Sequence, residues 1–229
     1  MFHGEEIHPP DNKIHIVNFG GDFSINDIFK KNPQLYHDQT KEIFNQLKVK
    51  NISENINLTE LASCIWVTEK IKQAKGISVF CHPLWLVNGY HVNQEMIEYL
   101  LNNNIFDAFE VCGGVSLHQN MLQGALYNDA RARGKNINIV GASDSHATVN
   151  FETFNQIMTI TFAKDNSFSE IQKSIKTGYS VAIDYFKGND YRVYGSFRLS
   201  AYTTFLMDNY FPLHDEMCFE EGRLMKEFC

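Results

Sequence analysis

Most histidines and acidic residues of potential chemical interest in this sequence lie in or directly after short apolar runs. Such runs predict strands, and in a parallel α/β sheet the carboxyl ends of the strands converge on one edge, where ligands bind. Imidazoles and carboxylates gathered there would form a nitrogen and oxygen cage suited to Zn²⁺, Mn²⁺ or Fe²⁺. The residues that follow this pattern are Glu6, His15, His82, Glu110, Asp144 and His146.

Asp144-Ser145-His146 is the most specific part of the pattern. In an extended chain, residues two apart project to the same side, so this carboxylate and this imidazole can reach into one cavity. A simpler interpretation is that Ser143 and Asp144 cap a following helix while His146 is solvated. Metal binding is therefore one of two interpretations for this segment.

The other members of the pattern also have simpler interpretations. His82, before Pro83, ends a buried strand, where it must find either a structural partner or a metal. His15 can lie on one face of an edge strand, and Glu6 can be an exposed acid instead of a bridge between two cations. Glu110 can be a metal ligand, half of a surface ion pair, or the group that orients a metal-bound histidine; we favour the last role.

The remaining histidines fit no strand-end pattern, and we predict surface or structural roles for them. Of these, His8 is the least secure exclusion, because it lies close to Glu6 in the sequence. The full set is His3, His8, His37, His91, His118 and His214.

The usual markers of other chemistries are missing from the sequence. There is no Gly-x-Ser-x-Gly of a serine hydrolase, no Gly-x-x-x-x-Gly-Lys-Ser/Thr phosphate loop and no Gly-x-Gly-x-x-Gly. Cys81 beside His82 suggests a cysteine nucleophile. However, adjacent residues on a strand point to opposite faces, so we expect this pair not to form a catalytic dyad.

Apolar runs and helical periods alternate along most of the chain, and this alternation predicts an α/β fold with a parallel sheet, either open or closed into a barrel. The helix-rich segment 24–47 should break at Asn32-Pro33. Residues 200–229, which are rich in aromatics, are predicted to pack as a helical tail on a main domain of residues 1–199. Strands are predicted at 14–19, 77–81, 106–111, 137–141, 157–162 and 179–183, and helices at 58–74, 94–102, 117–133 and 169–176.

The composition is that of a globular chain with a sizeable core: 229 residues, 44% hydrophobic and 21% charged. The net charge is −7 and the sequence shows no basic stripe, so nucleic acid is not indicated as a partner. The ends of oligonucleotides are not excluded as substrates. The five cysteines include no Cys-x-x-Cys pair, so we expect neither a disulfide framework nor a thiolate zinc knuckle. No signal peptide pattern or apolar stretch of about 20 residues is present, so we expect a cytoplasmic protein without membrane contact.

Five short motifs, taken in order, resemble those of the PHP (polymerase and histidinol phosphatase) superfamily. The ordered set extends over roughly the whole chain, and residues 171–183 resemble the closing helix and strand of that family. The resemblance implies a distorted (β/α)7 barrel, incomplete here at its N-terminal side, that hydrolyses phosphoesters with up to three divalent metal ions. The motifs are Gly4-Glu5-Glu6-Ile7, Ile14-His15-Ile16-Val17-Asn18-Phe19-Gly20, Cys81-His82-Pro83, Phe109-Glu110-Val111 and Gly141-Ala142-Ser143-Asp144-Ser145-His146.

The same resemblance implies roles for individual residues. Glu6 matches the bridging carboxylate of the family, and His15 and His82 match ligands of a second metal. Asp144 matches a ligand of the first metal, and His146 matches a ligand of the third. Zinc, manganese or iron would be the cofactor, and a small phosphorylated molecule would be the substrate.

Three further assignments complete the predicted site. Glu110 occupies a position that is commonly acidic in the family. Arg192 and Arg198 are candidates for binding phosphate by residue type alone. The residues implied in catalysis are Glu6, Asp144 and His146.

The chain departs from the family at its start. Members carry a His-x-His pair on the first strand, and no His-x-His occurs anywhere in this sequence. Without those first elements the predicted barrel is open beside Glu6, which exposes a strand edge. Three explanations stay open: the sequence is part of a longer protein, another subunit such as a second copy covers the gap, or the chain is a degenerate, non-catalytic metal-binding module. A structural role, with the aromatic residues 202–211 mediating oligomerisation, is a further alternative.

Overall fold

A five-stranded mixed sheet is the central layer of the fold. The computed structural model describes residues 2–10, 12–86, 92–146, 156–185 and 190–227. Strand β2 pairs antiparallel with β1 and with β3, whereas β3, β4 and β5 run parallel. In the order of the sheet the strands are β1 (Gly4–Ile7), β2 (His15–Phe19), β3 (Ile77–Cys81), β4 (Ala108–Gly113) and β5 (Ile139–Ala142).

A second, antiparallel sheet lies beside β5. It consists of β6 (Ile157–Thr161), β7 (Ser180–Asp184) and β8 (Arg192–Tyr194), with β7 in the middle. The Ser180 hydroxyl donates to the Ile139 carbonyl at 2.7 Å, and Ala182 lies against Gly141. From Ile139 to Gly141 along β5, the contacting residue on β7 changes from Ser180 to Ala182. The residue numbers increase together, so β7 runs in the same direction as β5. The carboxyl end of β7 therefore lies at the same end of the fold as the segment after β5.

Helices cover the central sheet, and most of them begin where a capping side chain is present. Asn32, for example, accepts from the Leu35 amide at 3.2 Å, and Pro33 opens the next helix at a position where proline is favoured. The helices are α1 (Ile25–Lys31), α2 (Pro33–Leu47), α3 (Leu58–Gln73), α4 (Gln94–Asn102), α5 (Leu117–Ala132), α6 (Phe168–Lys176), α7 (Phe197–Asn209) and α8 (Phe211–Glu227).

The alternation of side chains along the strands divides the core into two clusters. Ile16, Phe80 and Phe109 point into the larger cluster, which they share with helices α1 to α5. Their neighbours Val79 and Ala108 point to the opposite face, into a smaller cluster that also receives Phe168, Ile171 and Ile175 of α6. The central sheet is thus buried on both faces, which explains why every residue of β3 and β4 is buried.

The structure confirms an α/β fold and the main predicted elements, including the break at Asn32-Pro33. The predicted parallel sheet is confirmed in part: β3, β4 and β5 run parallel, whereas β2 is antiparallel to both of its neighbours, so the sheet is mixed. Among the described residues the strands form two sheets, and no closed barrel is found. The sequence prediction also missed β1 and β8, which have only four and three residues.

The two C-terminal helices differ in how far they join the body of the protein. Helix α7 packs against β7 and β8 and buries Thr203, whereas α8 contacts α7 and has no buried residue. The predicted division at residue 199 falls inside α7 and stays a prediction, as does oligomerisation through the tail. Exposed apolar side chains of this region include Tyr202, Phe205, Leu213, Met217 and Phe219. In the described part of the chain, no helix combines the length and apolar character needed to cross a membrane.

Candidate metal centre

Three side chains from three adjacent strands converge at one end of the central sheet. His15 Nδ1 lies 2.8 Å from His82 Nε2 and 3.0 Å from Glu6 Oε1, and His82 Nε2 lies 3.5 Å from the same oxygen. The pairing of β2 with β3 places His15 beside Cys81, the residue before His82. Glu6 lies on β1, which pairs with the other edge of β2. We refer to Glu6, His15 and His82 as the Glu6 cluster; it joins residues separated by up to 76 positions in the sequence.

The donor atoms of the Glu6 cluster fit a divalent cation. Ligands of a tetrahedral Zn²⁺ at about 2.1 Å are about 3.4 Å apart, close to the separations seen here. Glu6 Oε1 is buried, and none of its approaches to the three nearby imidazoles is aligned as a hydrogen bond. A buried carboxylate oxygen in that situation needs a partner, and a cation would supply one. One oxygen and two imidazole nitrogens suit Zn²⁺, Mn²⁺ or Fe²⁺.

The electrostatics of the cluster favour a charged carboxylate. The adjacent His15 imidazole, opposed by burial, lowers the pKa of Glu6 to about 2. Burial acts against the charged form of His82, but the neighbouring carboxylates of Glu110, Glu6 and Asp144 outweigh it and raise the pKa of His82. The cluster therefore attracts positive charge, whether as a proton or as a metal ion.

Glu110 lies behind His82 and is almost completely buried, with 1% of its surface exposed. It accepts a hydrogen bond from the His82 backbone amide at 3.3 Å, and its Oε1 lies 3.4 Å from His82 Nδ1. Burial raises the pKa of Glu110. Of the three interpretations of Glu110 from the sequence, a surface ion pair is wrong, since the carboxyl lies inside the protein.

Asp144 and His146 lie in the segment that follows β5. The carboxylate of Asp144 is close enough to act on the pKa of both His82 and Glu110. His146 Nε2 is 4.0 Å from Asp144 Oδ1, and 85% of the His146 side chain is exposed. The structure therefore brings Asp144 toward the Glu6 cluster and leaves His146 at the surface.

His8 belongs to the site although the sequence analysis set it aside. Its Nε2 lies 3.2 Å from Glu6 Oε1, and its ring stacks on His15 with centroids 3.9 Å apart and planes at 12°. Two stacked rings cannot both hold one cation in their planes, so His8 is a neighbour of Glu6 instead of a ligand equivalent to His15. Its position two residues after Glu6, on the same side of an extended segment, was the missed signal.

The second sheet adds a buried carboxylate, Asp184, at the end of β7. Burial raises the pKa of Asp184, and its Oδ2 lies 3.8 Å from Arg192 Nη1. This residue also ends a strand, so the rule applied to the other strands would have selected it. Arg198 is exposed on α7.

The other histidines were predicted to be surface or structural residues. Those within the described residues are exposed, and His91 lies outside the described residues. The exposed ones are His3, His37, His118 and His214.

No protein-family model matches the chain, and no curated protein matches it. Several solved structures resemble it, among them two at 15% sequence identity. The first is a two-domain protein containing a predicted PHP-like metal-dependent phosphoesterase from Bacteroides vulgatus, with a TM-score of 0.46 over 80% of this chain. The second is a protein assigned provisionally as a metal-dependent phosphoesterase from Bifidobacterium adolescentis, with a TM-score of 0.37 over 62% of this chain. The chain spans 43% and 66% of the lengths of these two proteins.

Proposed function

We propose that this protein hydrolyses phosphate esters with divalent metal ions held at the Glu6 cluster. The observation that carries the proposal is the convergence of Glu6 Oε1, His15 Nδ1 and His82 Nε2 around a buried oxygen that lacks an aligned hydrogen bond. Similarity to the PHP motifs supports the reaction class. A bound divalent ion would polarise phosphoryl oxygens and lower the pKa of a water that it holds.

The residues of the chain have separate tasks in this proposal. Glu6 supplies a negative charge that offsets half of the charge of the cation, and His15 and His82 fix its place from two neighbouring strands. Glu110 holds the backbone of His82 and thereby sets the direction of its ring. Such second-layer support limits the freedom of the ligands, so the site is preorganised for its cation.

Proton transfer and further metal binding involve residues nearer the surface. The His8 side chain is 59% exposed and lies beside Glu6, so it can carry a proton between the leaving oxygen of the ester and solvent. Asp144 and His146 would complete additional metal positions in a PHP-type site with up to three ions, zinc, manganese or iron among them. Arg192 is a candidate to receive the phosphate, since it pairs only at 3.8 Å with Asp184.

The remaining features of the PHP resemblance are part of the same proposal. A small phosphorylated molecule is the substrate. The elements that would close a (β/α)7-type barrel would come from a further segment of a longer protein or from a second copy of the chain.

The test combines metal analysis with an assay of p-nitrophenyl phosphate hydrolysis. We expect the chain to bind at least one divalent ion and to hydrolyse the ester only when the metal is present. His82→Ala and Asp144→Asn should each reduce the rate by at least 100-fold. His37→Ala, which changes an exposed histidine on α2, is the matched control and should leave the rate unchanged.

Two results would contradict the proposal. Equal rates in wild type, H82A and D144N would assign the hydrolysis to a contaminant or to another site. Metal bound at the cluster without turnover of any phosphate ester offered, nucleotides included, would instead identify a metal-binding module.

A further inference from the structure

A second group of potential ligands lies on the other side of the His82 ring. Cys81, His82 and Glu110 each offer one ligand atom, and these atoms all lie within 4.8 Å of one another. All three residues are buried, with 2%, 7% and 1% of their surfaces exposed. We refer to them as the Cys81 cluster. It shares only His82 with the Glu6 cluster, which uses the opposite nitrogen of the same ring.

The backbone at His82 explains why two adjacent residues serve the same cluster. Strand β3 ends at Cys81, and His82 has a φ of +23°, outside the extended region. The expected alternation of faces therefore stops at Cys81, and the imidazole turns back toward the side on which the thiol lies. The sequence expectation that Cys81 and His82 point to opposite faces was wrong for this reason.

One observation indicates that the Cys81 cluster is built to receive a ligand, and a second shows how the chain makes room for the Glu110 carboxylate. His82 Nδ1 is buried and has no hydrogen-bond partner among the described residues, since its 3.4 Å approach to Glu110 Oε1 is not aligned. Gly113 also leaves space for the Glu110 carboxylate, because a Cβ at Gly113 would overlap Oε1. An unpaired nitrogen in a site closed to water is costly unless a ligand satisfies it.

The charges and donor types of the cluster select the class of ligand. A thiolate and a carboxylate carry two negative charges, and a divalent cation would neutralise them, which a buried site requires. Sulfur is a soft ligand that suits Zn²⁺ and not Mg²⁺ or Ca²⁺, and zinc also accepts the nitrogen of His and the oxygen of Glu as ligands. The thiol and carboxyl protons would leave to solvent as the ion binds, and with the Glu6 cluster empty the neutral His82 ring would keep its remaining proton on Nε2. With ions at both clusters, that proton would also leave to solvent, and His82 would connect the two ions as an imidazolate.

We propose that Cys81, Glu110 and Nδ1 of His82 hold a buried zinc ion, separate from any ion at the Glu6 cluster. The His82 imidazole lies between the two positions and connects them. Zinc here would hold the ring of His82 and the end of β3 in place. Its role is therefore structural, and it does not contact the substrate. The proposal goes beyond phosphate-ester hydrolysis and holds whether or not the chain is a hydrolase.

Cobalt substitution tests the proposal directly, because a thiolate bound to Co²⁺ gives an intense charge-transfer band in the near ultraviolet, whereas oxygen and nitrogen ligands alone do not. We expect the metal-free full-length chain to develop this band when Co²⁺ is added, and Zn²⁺ to abolish it by displacement. Elemental analysis should find one zinc equivalent fewer in Cys81→Ser than in wild type. Cys64→Ser, which changes another buried free cysteine on α3, should keep both the band and the zinc content.

A variant of the other cluster separates this proposal from the proposed function. His15→Ala should lose ester hydrolysis and keep the charge-transfer band, because His15 is not part of the Cys81 cluster. A folded wild-type chain without the band overturns the zinc site, whatever the behaviour of the variants, and so does a band that persists in C81S. A wild-type chain with the band but without hydrolysis supports the zinc site and contradicts only the hydrolase.

Discussion

Gly113 is the residue whose small size most directly shapes the candidate site. A Cβ there would overlap Glu110 Oε1 and approach the Ala142 carbonyl. Gly113→Ala should therefore displace Glu110 from the His82 amide and lower the free energy of unfolding by about 1–3 kcal/mol, the usual effect of overpacking. Loss of this support should also weaken metal binding by about 10–100-fold.

Urea unfolding and metal titration measure these two effects. Gly222→Ala is the matched control, because Gly222 lies in α8 with open space around it, and alanine should stabilise that helix by up to about 1 kcal/mol. An unchanged metal affinity in G113A would mean that Glu110 does not orient His82.

Site residues could be predicted from the sequence where the ends of the strands are recognisable in it. His15 and His82 were selected because each lies in or after an apolar run, and Glu6 because its short motif resembles that of a known family; the structure brings these three together. His8 was set aside because β1 was not recognised as a strand, so the shared side of residues 6 and 8 was not visible. The orientation of Cys81 relative to His82 depends on one backbone angle, which no periodicity encodes.

Glu5 links strand β1 to the start of helix α1. Its carboxylate accepts from the Ile25 amide at 2.6 Å, the Asn26 amide at 3.2 Å and the Ser24 hydroxyl at 2.7 Å. These amides belong to the first turn of the helix, where unpaired donors and the helix dipole favour a negative charge. Burial alone would raise the pKa of Glu5, but the hydrogen bonds outweigh it and lower the pKa.

Glu5→Gln should therefore destabilise the protein in a pH-dependent manner. The pKa of Glu5 is lower in the folded chain than its ordinary value of 4.5, so the stabilisation by its charge is fully present above pH 4.5 and is lost as the pH falls through the folded pKa. We expect a loss of about 1–2 kcal/mol near neutral pH. The difference between wild type and E5Q should shrink below pH 4.5.

Urea unfolding of the metal-free chain at several pH values measures this difference. Glu54→Gln, a change at an exposed carboxylate, is the control and should change the free energy of unfolding by less than about 0.5 kcal/mol. A difference between wild type and E5Q that is constant at every pH would contradict the role of the Glu5 charge.

Elements were predicted best where local chemistry marks their ends. Asn32 and Pro33 separate α1 from α2, and Asn57 caps α3 by accepting from the Thr59 amide at 3.0 Å. Strand β1 carries no such mark, since four residues with two glutamates do not resemble a buried strand. Its place in the sheet comes from pairing with β2, a tertiary contact that local sequence does not report.

At the scale of the whole molecule, the direction of each strand was the hardest feature to predict. Apolar runs indicate that β2 and β3 are buried strands, but the same runs fit either direction. The long connection from β2 to β3 holds α1, α2 and α3, and such a connection usually joins parallel strands, whereas here it joins antiparallel ones. The hydrophobic pattern of the sequence therefore does not distinguish this mixed sheet, in which β2 is antiparallel to its neighbours, from a sheet whose strands are all parallel.

The two sheets are joined by side chains that replace part of a regular strand pairing. The Thr159 hydroxyl accepts from the Gly141 amide at 2.9 Å and donates to the Gly141 carbonyl at 2.8 Å. Gly141 lies on β5 only three residues before Asp144, so this junction also fixes one edge of the candidate site. A side chain at Gly141 would overlap the Met158 carbonyl, which keeps the two sheets close.

Thr159→Val keeps the shape of the side chain and removes both hydrogen bonds to Gly141. Because the amide and carbonyl of Gly141 would then lack these partners in the junction, the free energy of unfolding should fall by about 1–3 kcal/mol. Thr161→Val is the matched control on the same strand, since the Thr161 hydroxyl has no hydrogen bond in the described part of the chain, and it should change stability by less than about 0.5 kcal/mol. Urea unfolding measures both values. Equal stability of the two variants would mean that the Thr159 hydroxyl does not contribute to holding the two sheets together.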